Sequence, residues 1–301
     1  MRQAPGPDRT VNPYLRLLRP GNALIGWVGT VVGGYAVAGV SHLTGSGPLL
    51  VLVLAGFTTF LVTSAGNVLN DYRDREEDRV NHPERPLASG EIAPAGGLWA
   101  LTFLFVVSPL PLLGAGLLAA GTPFLVGGPL PLGLWALAVA LLLSYEGVTK
   151  ARGFPGNVTV AFLTGEVFLF GAAVVGRPIL ALPLLGMATF ATLSREIIKD
   201  MEDAGGDLSR RTLPQQRGLP VASVAARLSV GLALVLSPLP LFLFLSVGSP
   251  AFVIYLLLVA ASDAVFVWSV LDLPQRLHAG QTRSKVAMVL ALAAFLGAAL
   301  R

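Results

Sequence analysis

The residues best suited to chemistry are aspartates, and they come in two runs. The first is Asp71, Asp74 and Asp78, preceded by Asn67 and Asn70. The second is Asp200, Asp203 and Asp207, with Glu196 one turn upstream. At about 100° per residue, Asn67, Asp71, Asp74 and Asp78 fall on one stripe of a continuing helix, and Glu196, Asp200, Asp203 and Asp207 on another. Carboxylates three and four residues apart repel by a few tenths of a kcal/mol per pair, so each stripe calls for cations. A single acidic run beside a membrane is commonly a solvated loop face. Two runs with the same spacing point instead to a shared task. The chain has no cysteine and only three histidines, His42, His82 and His278, so hard oxygen ligands dominate and favour Mg²⁺ or Mn²⁺. Two facing carboxylate stripes, each holding a metal, would clamp a diphosphate, with Lys150, Arg73, Arg75 and Arg85 adding positive charge for phosphate oxygens. Neither G-x-x-x-x-G-K-[ST] nor G-x-G-x-x-G occurs, which argues against a nucleotide.

The elements that must position these residues are membrane helices. Hydrophobic residues make up 54% of the 301 positions and charged residues only 13%, against about 25% charge in a soluble domain. Mean hydropathy is +0.72. A span takes about 20 apolar residues, and that rule gives nine candidates: roughly 21–42, 49–70, 97–119, 123–145, 156–176, 178–198, 219–246, 250–271 and 284–300. If they alternate, the segments 1–20, 71–96, 146–155, 199–218 and 272–283 share one face and carry 16 of the 21 lysines and arginines. The opposite loops hold Arg177, with Arg301 at the far end. Positive loops stay inside, so the expectation is a multi-pass cell-membrane protein with the N-terminus and both aspartate runs cytoplasmic and the C-terminus outside. The net charge of +4 is explained by that loop asymmetry, without a nucleic-acid partner.

An internal repeat organises the spans. Ser108-Pro109-Leu110-Pro111-Leu112 recurs 129 positions later as Ser237-Pro238-Leu239-Pro240-Leu241. Asp71, Asp74 and Asp78 recur at the same offset as Asp200, Asp203 and Asp207. The expected fold is therefore all-α and integral to the membrane, a single transmembrane domain of about nine helices. Within it stand two four-helix halves, 20–150 and 151–272, plus a ninth helix, 284–300.

On these residues the chain resembles the UbiA superfamily of intramembrane prenyltransferases. The family's N-D-x-x-D-x-x-x-D matches Asn70, Asp71, Asp74 and Asp78, and its D-x-x-D-x-x-x-D matches Asp200, Asp203 and Asp207. Its Y-x-x-x-x-K followed by G-N matches Tyr145, Lys150, Gly156 and Asn157, and its R-P-x-N matches Arg19, Pro20 and Asn22. Within the superfamily, the stretches 70–90 and 195–203 resemble the archaeal ether-lipid branch, the digeranylgeranylglyceryl phosphate synthases. Where aromatic-acceptor members carry Tyr-Ala before the second run, this chain has Glu196-Ile197.

The resemblance implies Mg²⁺-dependent transfer of a geranylgeranyl or other polyprenyl group from its diphosphate to the free hydroxyl of geranylgeranylglyceryl phosphate. Asp71, Asp74 and Asp78 would serve one Mg²⁺ and Asp200, Asp203 and Asp207 a second. Asn70, Lys150, Arg19, Asn22, Tyr145 and Asn157 are the motif-matching candidates for substrate binding, and Asn67, Arg73 and Arg75, beside the first run, join them as candidates. An aromatic acid such as 4-hydroxybenzoate is the alternative acceptor. An ion-coupled transporter built on repeats is a remote third reading, disfavoured because the ionisable residues crowd one face. Glu166 and Asp263 stand inside predicted spans, where ionisable groups are often functional.

Overall fold

The computed structural model describes residues 11–43, 46–119, 129–204 and 211–301. Among them every regular element is helical, as lipid demands of a chain that must satisfy its backbone polar groups internally. A short α1 (Pro13–Leu18) turns at Arg19 into α2 (Pro20–Ala38), which is followed by α3 (Ser46–Arg73), α4 (Arg75–Asn81), α5 (Pro94–Val107), α6 (Leu110–Ala119) and α7 (Leu130–Ser144). The second part of the chain forms α8 (Phe154–Val174), α9 (Leu182–Asp203), α10 (Leu213–Leu236), α11 (Leu239–Leu243), α12 (Pro250–Leu271) and α13 (Leu277–Ala298). Proline stands in the first turn of most of these helices. Its missing N–H is unneeded there and its φ is already helical.

Both copies of the repeated Ser-Pro segment break a span in two. α5 ends at Val107 before Ser108-Pro109, and α10 ends at Leu236 before Ser237-Pro238. The prolines cannot donate to the preceding turn, and each break is tied down by side chains from a later helix. Trp135 Nε1 donates to Ser108 Oγ at 2.9 Å. Ser237 Oγ donates to Asp263 Oδ2 at 2.6 Å, while Tyr255 donates its hydroxyl to the Ser237 carbonyl at 2.8 Å. The intramembrane Asp263 is thus a partner of the α10 break.

Eight spans among the described residues are long and apolar enough to cross a membrane: Pro20–Ala38, Gly47–Arg73, Pro94–Ala119, Leu130–Arg152, Phe154–Val174, Pro178–Asp203, Leu213–Leu243 and Pro250–Leu271. The expected ninth exists as the helix α13, but it begins earlier than expected, at Leu277. His278, Gln281, Thr282, Arg283 and Lys285 make its first half polar, and it falls short of a span on composition. The chain is a multi-pass membrane protein. Large apolar side chains such as Trp99, Phe103, Leu117 and Phe242 point outward, each more than half exposed, as suits a surface solvated by lipid.

The central seam pairs α2 with α8, and α8 in turn packs on α9. Small residues permit the approach. A Cβ on Gly33 would lie 2.4 Å from the Phe168 carbonyl oxygen, and one on Gly171 would lie 1.9 Å from that of Thr30. Around this seam α3, α7, α12 and α13 close a bundle whose interior remains open at one end.

Candidate active site

That opening is a cavity of about 2070 Å³. Side chains from α2, α3, α4, α7, α8, α9, α10, α12 and α13 line it, while the span made of α5 and α6 supplies none. Its mouth carries Asn70, Asp74 and Asp78 from the first run and Asp203 from the second, with Arg19, Arg85, Arg195 and Lys199 beside them. Its depth is apolar, with Val28, Phe168, Met187, Leu292 and Phe295 on the walls. Phe168 and Phe295 meet edge to face, 5.4 Å between centroids.

The first aspartate run sits at the end of α3, but the helix does not continue unbroken. Asp74 leaves helical geometry, at ψ 2°, and α4 restarts at Arg75. The backbone nevertheless keeps one-turn hydrogen bonds across the break: Asp74 N–H to Asn70 O at 2.9 Å and Asp78 N–H to Asp74 O at 2.8 Å. The stripe therefore survives, and each carboxylate receives the cation its repulsive spacing requires. Arg19, itself at the left-handed turn between α1 and α2 (φ 49°), pairs with the buried Asp71. Arg85 forks onto both oxygens of Asp78 at 2.7 and 2.6 Å and lies 3.4 Å from Asp71. Lys150 Nζ reaches both oxygens of Asp74, at 2.7 and 2.6 Å, and Glu146 at 3.0 Å.

The Lys150 contact depends on irregular backbone. Tyr145–Thr149 forms a π-turn, closed by Lys150 N–H on the Tyr145 carbonyl, a geometry common at functional sites. It puts Glu146 and Lys150 on the same side, where Asn70 Nδ2 bridges Asp74 and Glu146, both at 3.0 Å. Tyr145 lies 6.0 Å from Lys150 by its ring centroid and also lines the cavity. Glu146 was not expected here. Its only sequence signal is its place four residues before Lys150, the spacing of a helical ion pair.

The second run ends α9. Asn157, in the first turn of α8, donates to Asp200 Oδ2 at 2.6 Å, which ties the expected G-N motif to the second run directly. Asp200 is buried and Asp203 is exposed. Asp207 lies outside the described residues.

Other expected residues have different placements. Asn22 lines the mouth. Asn67 also lines it but spends its amide on the Leu18 carbonyl at 3.0 Å, locking α3 to the α1–α2 turn. Arg73 and Arg75, expected to supply positive charge to phosphate, do not line the cavity. Arg73 falls between the stripe positions of α3 and is exposed. Arg75 donates to the Tyr72 carbonyl at 2.9 Å and stacks on the Tyr72 ring, 5.1 Å from its centroid. The cations paired with the carboxylates of the first run are Arg19, Arg85 and Lys150. Glu166 is buried in the cavity wall, with Oε1 lacking a hydrogen-bond partner among the described residues.

The donor chemistry suits a hard divalent cation: carboxylate and amide oxygens around one cavity, with no thiolate. As the side chains stand, the carboxylates face Arg19, Arg85, Lys150 and Asn157, and no three acidic or imidazole groups among the described residues gather at one point. Asp71, Asp74, Asp78, Asp200 and Asp203 are the groups that would turn to a metal.

A membrane-embedded helical bundle, with two aspartate runs and several cations at the mouth of a long apolar cavity, is the architecture of a prenyl-transferring enzyme. Residues 27–292 match the UbiA prenyltransferase family, and the chain belongs to that family. Among its relatives, the digeranylgeranylglyceryl phosphate synthase of Methanopyrus kandleri is 38% identical over 292 residues, covering 95% of this chain and 99% of the relative. That of Halobacterium salinarum is 39% identical over 217 residues, 70% and 72% of the two chains. A solved structure described as a digeranylgeranylglyceryl phosphate synthase in membranes superposes with a TM-score of 0.78 at 28% identity, covering 96% of this chain and 98% of that one. A UbiA homolog from Archaeoglobus fulgidus, bound to GPP and Mg²⁺, shares the fold with a TM-score of 0.61 at 18% identity over 94% and 99% of the chains.

Proposed function

We propose that this enzyme transfers a geranylgeranyl group from geranylgeranyl diphosphate to the free hydroxyl of geranylgeranylglyceryl phosphate, the second prenylation of an ether lipid. The observation that carries the proposal is this cavity, polar and charged at its mouth and apolar through its depth. At about 2070 Å³ it exceeds the roughly 300–1,000 Å³ of an ordinary small-molecule pocket, which leaves room for two isoprenoid chains. The relatives named above, at 38% and 39% identity, support the acceptor.

In this reading the donor's diphosphate lies at the mouth and its isoprenoid tail runs toward Phe168 and Phe295. Asp71, Asp74 and Asp78 would hold one Mg²⁺, and Asp200 and Asp203, with Asp207, a second. Bound there, the ions would neutralise diphosphate charge as the allylic C–O bond breaks. Arg19, Arg85 and Lys150, released from the carboxylates they now pair with, would turn their N–H groups to phosphate oxygens. Asn70 and Asn157 hold Asp74 and Asp200 in place, an orienting role that costs ten- to a hundred-fold when lost from a metal site. The apolar walls keep water from the allylic cation until the acceptor hydroxyl attacks its C1, forming the ether bond and giving up its proton to the departing diphosphate.

The test uses purified protein in liposomes with geranylgeranyl diphosphate and Mg²⁺, offering geranylgeranylglyceryl phosphate or 4-hydroxybenzoate in parallel. The expected outcome is product with the glycerol phosphate acceptor alone. Product with the aromatic acid alone contradicts the acceptor assignment. The mouth is proposed to face the cytoplasm, with the N-terminus inside and the C-terminus outside, on the strength of the positive loops.

A further inference from the structure

Most cations at the cavity mouth are already neutralised. Arg19 pairs with Asp71, Arg85 with Asp78, and Arg195 with Glu196. Lys150, against the same first run, pairs with Asp74 and Glu146. Lys199 and Lys285 differ: both line the cavity, both are exposed, and neither makes an ion pair with any described residue.

Their positions are set by the seam between α9 and α13. Glu202, near the end of α9, accepts from Gln281 Nε2 at 2.5 Å and contacts His278 Nδ1 at 3.2 Å near the start of α13. Gly280, between those two contacts, sits against Ile198, where an added Cβ would lie 3.5 Å from its Cγ2. Deeper in, Leu184 and Met187 of α9 share a core cluster with Ala294 and Phe295 of α13. The helices therefore run antiparallel, with Lys199 just inside the Glu202 tie and Lys285 one turn beyond Gln281. Glu202 is engaged by that tie, Glu196 by Arg195 and Asp200 by Asn157. Asp203 opens on the same cavity and belongs to the proposed metal set. Two like charges on facing helices, opening on one cavity and without an ion-pair partner among the described residues, make a place for an anion.

We propose that Lys199 and Lys285 bind the phosphomonoester of the acceptor. The donor's diphosphate is then left to Arg19, Arg85 and Lys150 around the first aspartate run. The inference rests on the acceptor named under Proposed function and adds what recognises it. It divides the mouth into a diphosphate side, built by α2, α3 and the π-turn, and a monophosphate side, built by α9 and α13. The acceptor's hydroxyl is thereby held over the donor, with both isoprenoid tails in the shared apolar depth.

The experiment measures KM for each substrate separately in liposomes, for the wild type and for Lys199→Gln, Lys285→Gln and Lys285→Arg. Binding of geranylgeranylglyceryl phosphate without donor is followed in parallel by thermal shift. The expected result is an acceptor KM raised about tenfold or more in each Gln variant. Donor KM and kcat at saturating acceptor should stay within about twofold, the acceptor's thermal shift should be lost, and Lys285→Arg should recover most of the affinity. An unchanged acceptor KM in active variants overturns the inference and leaves the enzyme's reaction standing. So does a rise confined to donor KM, which would assign the lysines to the diphosphate. A wild type that makes no product from this acceptor removes the reaction and the inference together.

Discussion

At the scale of residues, the site is a set of carboxylates whose mutual repulsion is offset by cations from other parts of the chain. Asp71 and Asp78 are buried and would be costly to hold charged without Arg19 and Arg85. Asp74 has Lys150, and Asp200 has the Asn157 amide. Replacing either Asp71 or Asp200 with Asn keeps shape and removes charge. Each single variant is expected to lose at least about a hundred-fold in turnover with geranylgeranyl diphosphate, measured by radiolabel transfer, while remaining folded by thermal unfolding in detergent. Near wild-type turnover in either would mean that its run is not part of the machinery. These aspartates were legible in the sequence because their spacing repeats, and Arg19, Lys150 and Asn157 because they stand in motifs. Glu146 was not legible: its contact with Asn70 exists only because five residues wind as a π-turn, which no spacing announces. Arg73 and Arg75 were read as phosphate ligands from proximity in sequence alone. The helix turns one away from the cavity, and the Tyr72 ring and carbonyl hold the other.

At the scale of elements, close helix packing sets the site. α8 carries Asn157 and Glu166 and reaches α2 through glycine contacts, with Gly171 against the backbone of Thr30. Without the hydrophobic effect to draw helices together in lipid, such small-residue contacts carry association. Gly171→Val is expected to destabilise the bundle by roughly 1–3 kcal/mol, the usual cost of overpacking, read as a lower thermal midpoint in detergent. Gly114→Ala, where an added Cβ meets nothing within 4 Å, should leave the midpoint unchanged. Equal midpoints for the two variants would mean that the α2–α8 seam is looser than described. Hydropathy found the spans, and the proline pairs mark two interruptions, but neither shows what holds those breaks. The Ser-Pro breaks after α5 and α10 lie inside continuous apolar stretches, and the side chains that hold them, Trp135, Asp263 and Tyr255, come from elsewhere in the chain. The last helix, expected over 284–300, starts earlier than hydropathy indicates, at Leu277. Its first half is polar because it faces the mouth of the cavity, with Lys285 on that wall, so composition undercounts it as a span.

At the scale of the whole molecule, the positive loops, the repeat and the cavity tell a consistent story. The offset of 129 residues that relates the aspartate runs also relates the two helix breaks, and we read the bundle as two like-oriented halves that each bring one run to the shared mouth. That reading places α4 and the segment after α9 in the cytoplasm. The chain has no cysteine of its own, so single cysteines report cleanly. Val80→Cys on α4 and Ile179→Cys before α9, at 82% and 76% exposure, should react oppositely with an impermeant maleimide on intact cells. The expected result is labelling of Ile179→Cys only. Labelling of Val80→Cys instead would invert the proposed topology.

The central claim is that this cavity joins two lipid tails at a glycerol phosphate. The most direct test is a competition in which labelled geranylgeranyl diphosphate and Mg²⁺ meet equimolar geranylgeranylglyceryl phosphate and 4-hydroxybenzoate in one liposome suspension. The account predicts label in the doubly prenylated glycerol phosphate and essentially none in the aromatic product. Label accumulating chiefly in the prenylated aromatic acid would contradict it.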